Sequence, residues 1–190
     1  MRSARKVGPH ALGAGHPLLF GFAPALEFDD HPDGGGYPKG FIRKAYETLG
    51  VTDPAKVLHV CSGSMRVGVT LDLRQSMKPR VVGDALHLPF RDRVFRWAMA
   101  DPPYSVAYAE NLYGTGDRYP PPKTLLAEVA RVLVPGGRVG LLHHMTPLVP
   151  PGLRLVKVYG VSTGCGYQMR AWTVLERPDD SMPLFEPPHQ

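Results

Sequence analysis

Val57-Leu58-His59-Val60-Cys61, Val69-Thr70-Leu71-Asp72-Leu73 and Val81-Val82-Gly83 follow one another across short polar turns. Apolar runs of this length, punctuated by turn residues, read as buried strands. Trp97-Ala98-Met99-Ala100 is a fourth such run and Arg138-Val139-Gly140-Leu141-Leu142 a fifth. Leu153 to Val161 and Gln168 to Glu176 read as two more, joined by the turn Ser162-Thr163-Gly164-Cys165-Gly166. Helical spacing occurs in two places. Phe41, Ala45 and Leu49, with Ile42 and Tyr46, recur every fourth residue ahead of a stop at Gly50. Thr124 to Leu133 carries apolar residues at 125, 126, 129, 132 and 133 and is expected to end before Pro135-Gly136-Gly137. Strands alternating with helices across short loops predict an α/β doubly wound, mostly parallel sheet. The last two strands, joined by a short turn, must be antiparallel, because a parallel connection needs a dozen or more residues. Ligands of such sheets bind beyond the carboxyl ends of the strands.

Of the 190 residues 43% are apolar and 21% charged, enough to bury a core, which excludes a disordered chain. No apolar run approaches the roughly 18 residues of a membrane helix, so no membrane partner is expected. The basic start Arg2-Ser3-Ala4-Arg5-Lys6 is followed by Gly8, Pro9, His10, His16 and Pro17, a poor signal peptide. Cys61 and Cys165 are the only cysteines, and no C-x-x-C pair is present. A reduced, cytoplasmic setting follows, without a disulfide framework or thiolate zinc site. The net charge of +5 is compatible with an anionic partner or with a plainly solvated surface. Three regions emerge: an irregular arm over 1–40, a folded domain over 41–177, and a Pro-rich tail over 178–190.

Asp101-Pro102-Pro103-Tyr104 follows the fourth strand. Two prolines fix φ and remove two N–H donors, so the loop is stiff and its carbonyls are bare. A carboxylate, exposed carbonyls and a ring on one stiff loop suit a planar, amino-bearing base. Taken alone, the same tetrapeptide is also an ordinary Asp-Pro turn. In this position it resembles the D/N/S-P-P-Y/F/W loop of class I S-adenosylmethionine-dependent methyltransferases that modify nucleobase amino groups. The resemblance covers about residues 40–177. It implies a Rossmann-like, seven-stranded, mostly parallel sheet with an antiparallel terminal strand and helices on both faces. It also implies S-adenosylmethionine as cofactor and Asp101, Pro102, Pro103 and Tyr104 as the catalytic loop.

On the cofactor side, Cys61-Ser62-Gly63-Ser64-Met65 matches the place of the family's glycine-rich turn. His59 and Met65 stand where the family has an acidic residue and a second glycine. The resemblance gives Asp72 the ribose hydroxyls, or an ordinary helix N-cap, and gives Asp84 the adenine amino group, with Ala85 and Leu86 beside the ring. The run Asp84 to Phe90 is similar to D-A-x-x-L-P-F. Tyr37 and Lys39 lie where the family often places a cofactor-contacting segment. There Lys39 pairs with the methionine carboxylate and Phe41 covers the cofactor, or the segment is a solvated loop. Asp101 is counted with the cofactor contacts as well. His143 and His144, adjacent on a strand, point to opposite faces and cannot chelate one metal together, so no metal is expected.

Methylation of an amino nitrogen needs no covalent enzyme intermediate, and no Pro-Cys nucleophile is present. The resemblance therefore implies nucleic acid as partner, DNA ahead of RNA, with adenine N6 or cytosine N4 as acceptor. Little chain is left for target recognition. The interleaved Tyr108, Tyr113, Arg118, Tyr119 and Lys123 are the candidates beside the arm, or a bland surface loop. A homodimer or partner subunit supplying recognition fits this shortage. The alternatives are an RNA guanine-N2 methyltransferase and a non-catalytic binding protein on the same fold.

Overall fold

The computed structural model describes residues 37–38, 40–162 and 168–179. They form one seven-stranded sheet. Its strands are β1 (Leu58–Val60), β2 (Val69–Asp72), β3 (Val81–Val82), β4 (Phe95–Ala100), β5 (Leu133–His143), β6 (Arg154–Val161) and β7 (Arg170–Glu176), in the spatial order β3-β2-β1-β4-β5-β7-β6. The first five run parallel, and β7 runs antiparallel to both β5 and β6. The reversed strand is the last in sequence, as expected, but lies inside the sheet. The expected turn over 162–166, with Cys165, falls almost wholly outside the described residues, as do Lys39 and most of the arm and tail.

Alternation along the strands divides the core in two. Leu58, Val60, Ala98, Ala100, Val139, Leu141 and Leu175 face helix α3 (Pro122–Val132), which contributes Leu125, Leu126, Val129 and Val132. Val57, Trp97, Met99, Leu142, Trp172 and Val174 face helix α1 (Phe41–Leu49), which contributes Phe41, Ala45 and Leu49. Helices therefore cover both faces. Among the described residues no helix is long and apolar enough to cross a membrane.

Two connections differ from the sequence expectation. The parallel crossover from β1 to β2 uses only residues 61–68, eight where a parallel connection is expected to need a dozen or more, and has no helix. Sharp backbone reversal replaces it: Cys61, Gly63 and Gly68 all have positive φ. Gly68 is indispensable there, because a Cβ would sit 2.4 Å from the Val57 carbonyl oxygen. The second difference concerns Pro135-Gly136-Gly137, which lies inside β5, so α3 passes directly into the strand. Arg177 stabilises this join. Its Nη1 donates to the carbonyls of Ala130 (2.8 Å), Arg131 (3.2 Å) and Leu133 (2.9 Å), bridging the last turn of α3 and the first residue of β5.

Trp172 anchors α1 to the sheet. Its indole Nε1–H donates to Thr48 Oγ1 (2.9 Å), and its ring meets Phe41 edge-on (5.0 Å) while lying across Gly140 of β5. A Cβ at Gly140 would stand 2.0 Å from the indole, and the ring is only 2% exposed, with nowhere to go. Gly140→Ala is therefore expected to destabilise the fold by about 3 kcal/mol or more, at the upper end of overpacking costs. Denaturant unfolding measures this, and a loss below about 1 kcal/mol would show that the indole repacks freely.

Candidate active site

Register brings the site together. Val60 pairs with Leu71 and with Ala100, and Asp72 pairs with Val82. The residues just beyond these pairs, Cys61, Gly83, Asp84 and Asp101, therefore meet Asp72 at one edge of the sheet. They surround a cleft of about 290 Å³. Tyr37, Cys61, Ser62, Gly63, Asp72, Asp84, Ala85, Asp101, Pro102, Pro103 and Tyr104 all line it. Ser64 and Leu86 do not, although the Leu86 N–H donates to Asp84 Oδ1 (2.8 Å) and so shapes the Asp84 turn. Phe41 does not reach the cleft either. It is 3% exposed and packs on Trp172 as a core residue, because its helix faces the sheet.

The floor of the cleft is polar. Asp72 is 4% exposed, and both of its oxygens already accept hydrogen bonds. Oδ2 takes the Gly63 N–H (2.8 Å), while Oδ1 takes the Arg74 N–H (2.9 Å) and Nε (3.1 Å). The Arg74 guanidinium in turn lies over the Tyr113 ring at 4.3 Å. Asp72 thus ties the turn after β1 to the end of β2, a structural duty that the sequence does not announce. The other Asp84 oxygen, Oδ2, lies 3.8 Å from the exposed His87 ring. Two buried hydroxyls, Tyr37 Oη and Ser62 Oγ, find no hydrogen-bond partner among the described residues. Both line the cleft, where a polar ligand would satisfy them.

Cys61 adopts φ 55, the left-handed region that costs a non-glycine residue about 1 kcal/mol or more. Burial first, and then the charges of Asp72 and Asp101, push its thiol pKa up, so it stays protonated. His59, on the inner side of the same strand, is fully buried against Tyr37 and Tyr46, with Nε2 3.2 Å from Tyr46 Oη. It is a packed neutral imidazole and not a cleft residue.

At the other end of the cleft, Tyr104 folds back over its own loop. Its hydroxyl donates to Asp101 Oδ1 (3.0 Å) and accepts from Arg170 Nη1 (3.0 Å). Burial raises the Asp101 pKa to about 6 against the lowering effect of Arg170 and of the Tyr104 hydrogen bond. The Tyr104 ring packs against His144 (4.0 Å) and Tyr108 (5.6 Å), and His143 meets it edge-on (5.3 Å). The two histidines therefore share a neighbour, contrary to the expectation of opposite faces. β5 ends at His143, so strand alternation no longer governs His144. No group of three or more metal-ligating side chains occurs among the described residues.

The mouth of the cleft is a third helix, α2 (Val106–Tyr113), within the segment whose interleaved aromatic and basic residues suggest either target recognition or a bland surface loop. Ser105 caps it by accepting the Tyr108 N–H (3.1 Å), and Gly114 ends it with positive φ. Both signals are present in the sequence. Tyr108, Leu112, Tyr113 and Arg118 line the cleft, whereas Tyr119 and Lys123 do not. Arg74, Leu112, Thr115, Pro120 and Arg170 are among the cleft residues that sequence reasoning missed.

Neither a protein-family model nor the sequence of a curated protein matches the chain. Solved structures do. TrmN from Thermus thermophilus superposes with a TM-score of 0.56 at 22% identity, covering 75% of this chain and 50% of that one. The fold is that of the class I methyltransferases. The chain spans about half of the Thermus protein's length. The complex of the Haloferax volcanii Trm112 methyltransferase activator with a methyltransferase matches at TM-score 0.52 and 15% identity, covering 72% and 88% of the two chains. The [4+2]-cyclase SpnF matches at 0.50 and 14%, covering 83% and 88%. A cyclase on this fold means that the reaction must be argued from the residues.

His59 supplies a test of this architecture. Burial lowers its pKa from 6.5 to about 4, so the unfolded chain binds a proton in that window which the folded chain refuses. The contribution of its neutral ring is complete above about pH 6.5 and is lost as pH falls toward 4, by up to about 3 kcal/mol. His59→Phe lacks this titration. Between pH 7 and pH 4 the wild type should therefore lose stability relative to the variant by about that amount in denaturant unfolding. A constant gap would mean that His59 is hydrated.

Proposed function

We propose that the chain is an S-adenosylmethionine-dependent methyltransferase acting on an exocyclic amino group of a nucleobase, with adenine N6 or cytosine N4 of DNA as the acceptor. One observation carries the reading: Asp101-Pro102-Pro103-Tyr104 stands at the carboxyl end of β4, one strand from the Cys61-Ser62-Gly63 turn, and both line the same cleft.

The residues suit the cofactor. Ser62 Oγ and Tyr37 Oη are buried and unsatisfied, as expected of groups that face a polar ligand. Asp84 offers a carboxylate oxygen at the far wall; Asp72 and Asp101 line the cleft as well, each with an arginine beside it, Arg74 for Asp72 and Arg170 for Asp101. Bound there, the cofactor supplies an electrophilic methyl group. Asp72 holds the cleft floor through Gly63 and Arg74, and Ala85, beside Asp84 in the lining, would be held against the cofactor's adenine ring.

Asp101 and a proline carbonyl then accept the two N–H bonds of the target amino group. An amino nitrogen conjugated to a ring is a poor nucleophile, and this clamp holds it with its lone pair toward the methyl donor. As the nitrogen gains charge, the Asp101 carboxylate stabilises it and takes the released proton, a role suited to a group whose pKa is about 6. The Pro102 and Pro103 rings keep the loop from relaxing. Tyr104 and Tyr108 provide the aromatic wall. A base from a duplex must be flipped out to reach them.

Asp101→Ala is expected to collapse methyl transfer while leaving cofactor affinity nearly intact. Asp84→Ala is expected to weaken cofactor binding by about 1–3 kcal/mol, the cost of a lost hydrogen bond to a polar ligand. Transfer by the wild type should also fall as pH drops through about 6, when Asp101 takes up a proton. Calorimetry with S-adenosylmethionine and transfer of labelled methyl to genomic DNA and, separately, to total RNA measure these outcomes. Transfer confined to RNA would move the acceptor to guanine N2. Absence of cofactor binding would leave a non-catalytic protein, and wild-type transfer by Asp101→Ala would sink the amino-methyltransfer mechanism.

A further inference from the structure

We propose that Arg170 is a positioning residue for methyl transfer: its guanidinium pins the Tyr104 phenol, and Tyr104 pins one oxygen of Asp101, so that the other is held toward the acceptor. The proposal rests on the reading of the cleft given above.

The hydrogen-bond chain has only one possible direction. Arg170 Nη1 can only donate, and an ionised carboxylate can only accept. The Tyr104 hydroxyl between them, 3.0 Å from each, must accept from the arginine and donate to Asp101 Oδ1. Its hydroxyl rotor and ring orientation are thereby fixed from both ends. Asp101 Oδ2 takes no hydrogen bond from a described residue and belongs to a side chain that lines the cleft.

Topology explains why an arginine so distant in sequence serves this loop. The carboxyl ends of β1 to β5 form the ligand edge, and β7 is the reversed strand. Its first residue, Arg170, therefore enters at that same edge. His143 pairs with Ala171, which sets Arg170 one step beyond the end of β5 and beside the Tyr104–His143–His144 cluster. The anchoring residue is part of the sheet, whereas Asp101 and Tyr104 sit on a loop. A rigid strand thus holds a loop in the geometry that positioning catalysis requires.

The groups facing Asp101 come from several elements: Tyr37 ahead of α1, Cys61 after β1, Tyr104 on its own loop, Tyr113 on α2 and Arg170 on β7. The first two and Tyr113 are neutral at physiological pH. Arg170 is the cation among them, and it opposes the effect of burial on the carboxyl.

The test uses the full chain and two independent readouts. The Asp101 carboxyl is titrated by carbon-13 NMR in the wild type, Arg170→Ala, Arg170→Lys and Tyr104→Phe, without any substrate. Turnover is measured with labelled S-adenosylmethionine and genomic DNA or total tRNA as acceptors. The wild-type midpoint should lie near 6 and move upward in Arg170→Ala and Tyr104→Phe. Arg170→Lys, which keeps the charge without the planar fork, should hold the midpoint close to the wild type. In turnover, Arg170→Ala and Arg170→Lys should both lose roughly 100-fold in kcat with KM little changed. The double variant Arg170→Ala/Tyr104→Phe should be no worse than Tyr104→Phe alone, since both break one chain. An unmoved midpoint in Arg170→Ala, or additive losses in the double variant, overturns the proposal. If Arg170→Ala does not fold, the Arg170→Lys and Tyr104→Phe titrations and rates decide it. A wild type that transfers no methyl to either polymer instead overturns the functional reading, while the titration still judges the chain.

Discussion

Parallel register between β1, β2 and β4 is the constraint on which everything else depends. Val60 stands level with Leu71 and Ala100, so the chain leaves all three strands at the same height. Three carboxylates and a glycine turn converge there without any need for them to be near in sequence. A slip of one residue in any of these strands would turn a buried Leu58, Leu71 or Ala98 to the opposite face. The core therefore enforces the site: the same burial that specifies Leu58 and Val60 sets the position of Cys61, Asp72 and Asp101.

The site shows how economically so short a chain meets that constraint. The β1–β2 crossover dispenses with a helix and relies on positive φ at Cys61, Gly63 and Gly68. A turn of that kind has few contacts of its own, and Asp72 supplies the missing ones by holding the Gly63 N–H and Arg74. Asp72 therefore carries two demands, support of the turn and a place in the lining of the cleft. Asp84, whose carboxylate supports only the local turn at Leu86, is the cleaner probe of ligand binding.

The sheet was legible in the sequence because buried strands of an α/β protein are short apolar runs between turn residues, and all seven were recognised as such. Its edge residues were legible for the same reason, since each lies just past an apolar run. Contacts that depend on long-range pairing were not. Nothing near Asp72 in the sequence says that Arg74 and Gly63 fill its lone pairs. The aromatic texture of residues 105–123 hid α2, although Ser105 and Gly114 mark its ends. The expected stop at Pro135-Gly136-Gly137 yielded to pairing with β4 and β7, where the Gly136 N–H donates to the Arg177 carbonyl (2.8 Å) and the Arg177 N–H donates to the Gly137 carbonyl (2.8 Å). Lys39 lies outside the described residues, and Phe41, which the resemblance offers as a cover for the cofactor, follows instead the apolar stripe it shares with Ala45 and Leu49 into the core.

Tyr104 changes most between the two views. Read from the tetrapeptide, it is a stacking ring whose hydroxyl is incidental. In the fold, its ring already packs on His144, and its hydroxyl is the middle of a chain from Arg170 to Asp101. The phenol is therefore as informative as the ring. Under the proposed reading, a base entering the cleft must share or displace the His144 contact, whereas the hydroxyl contact is made within the loop and to β7. The loop thus combines an element that yields to the substrate with one that does not. In the proposed reaction, that division lets a stiff Asp101 geometry coexist with a pocket open enough to admit a planar base.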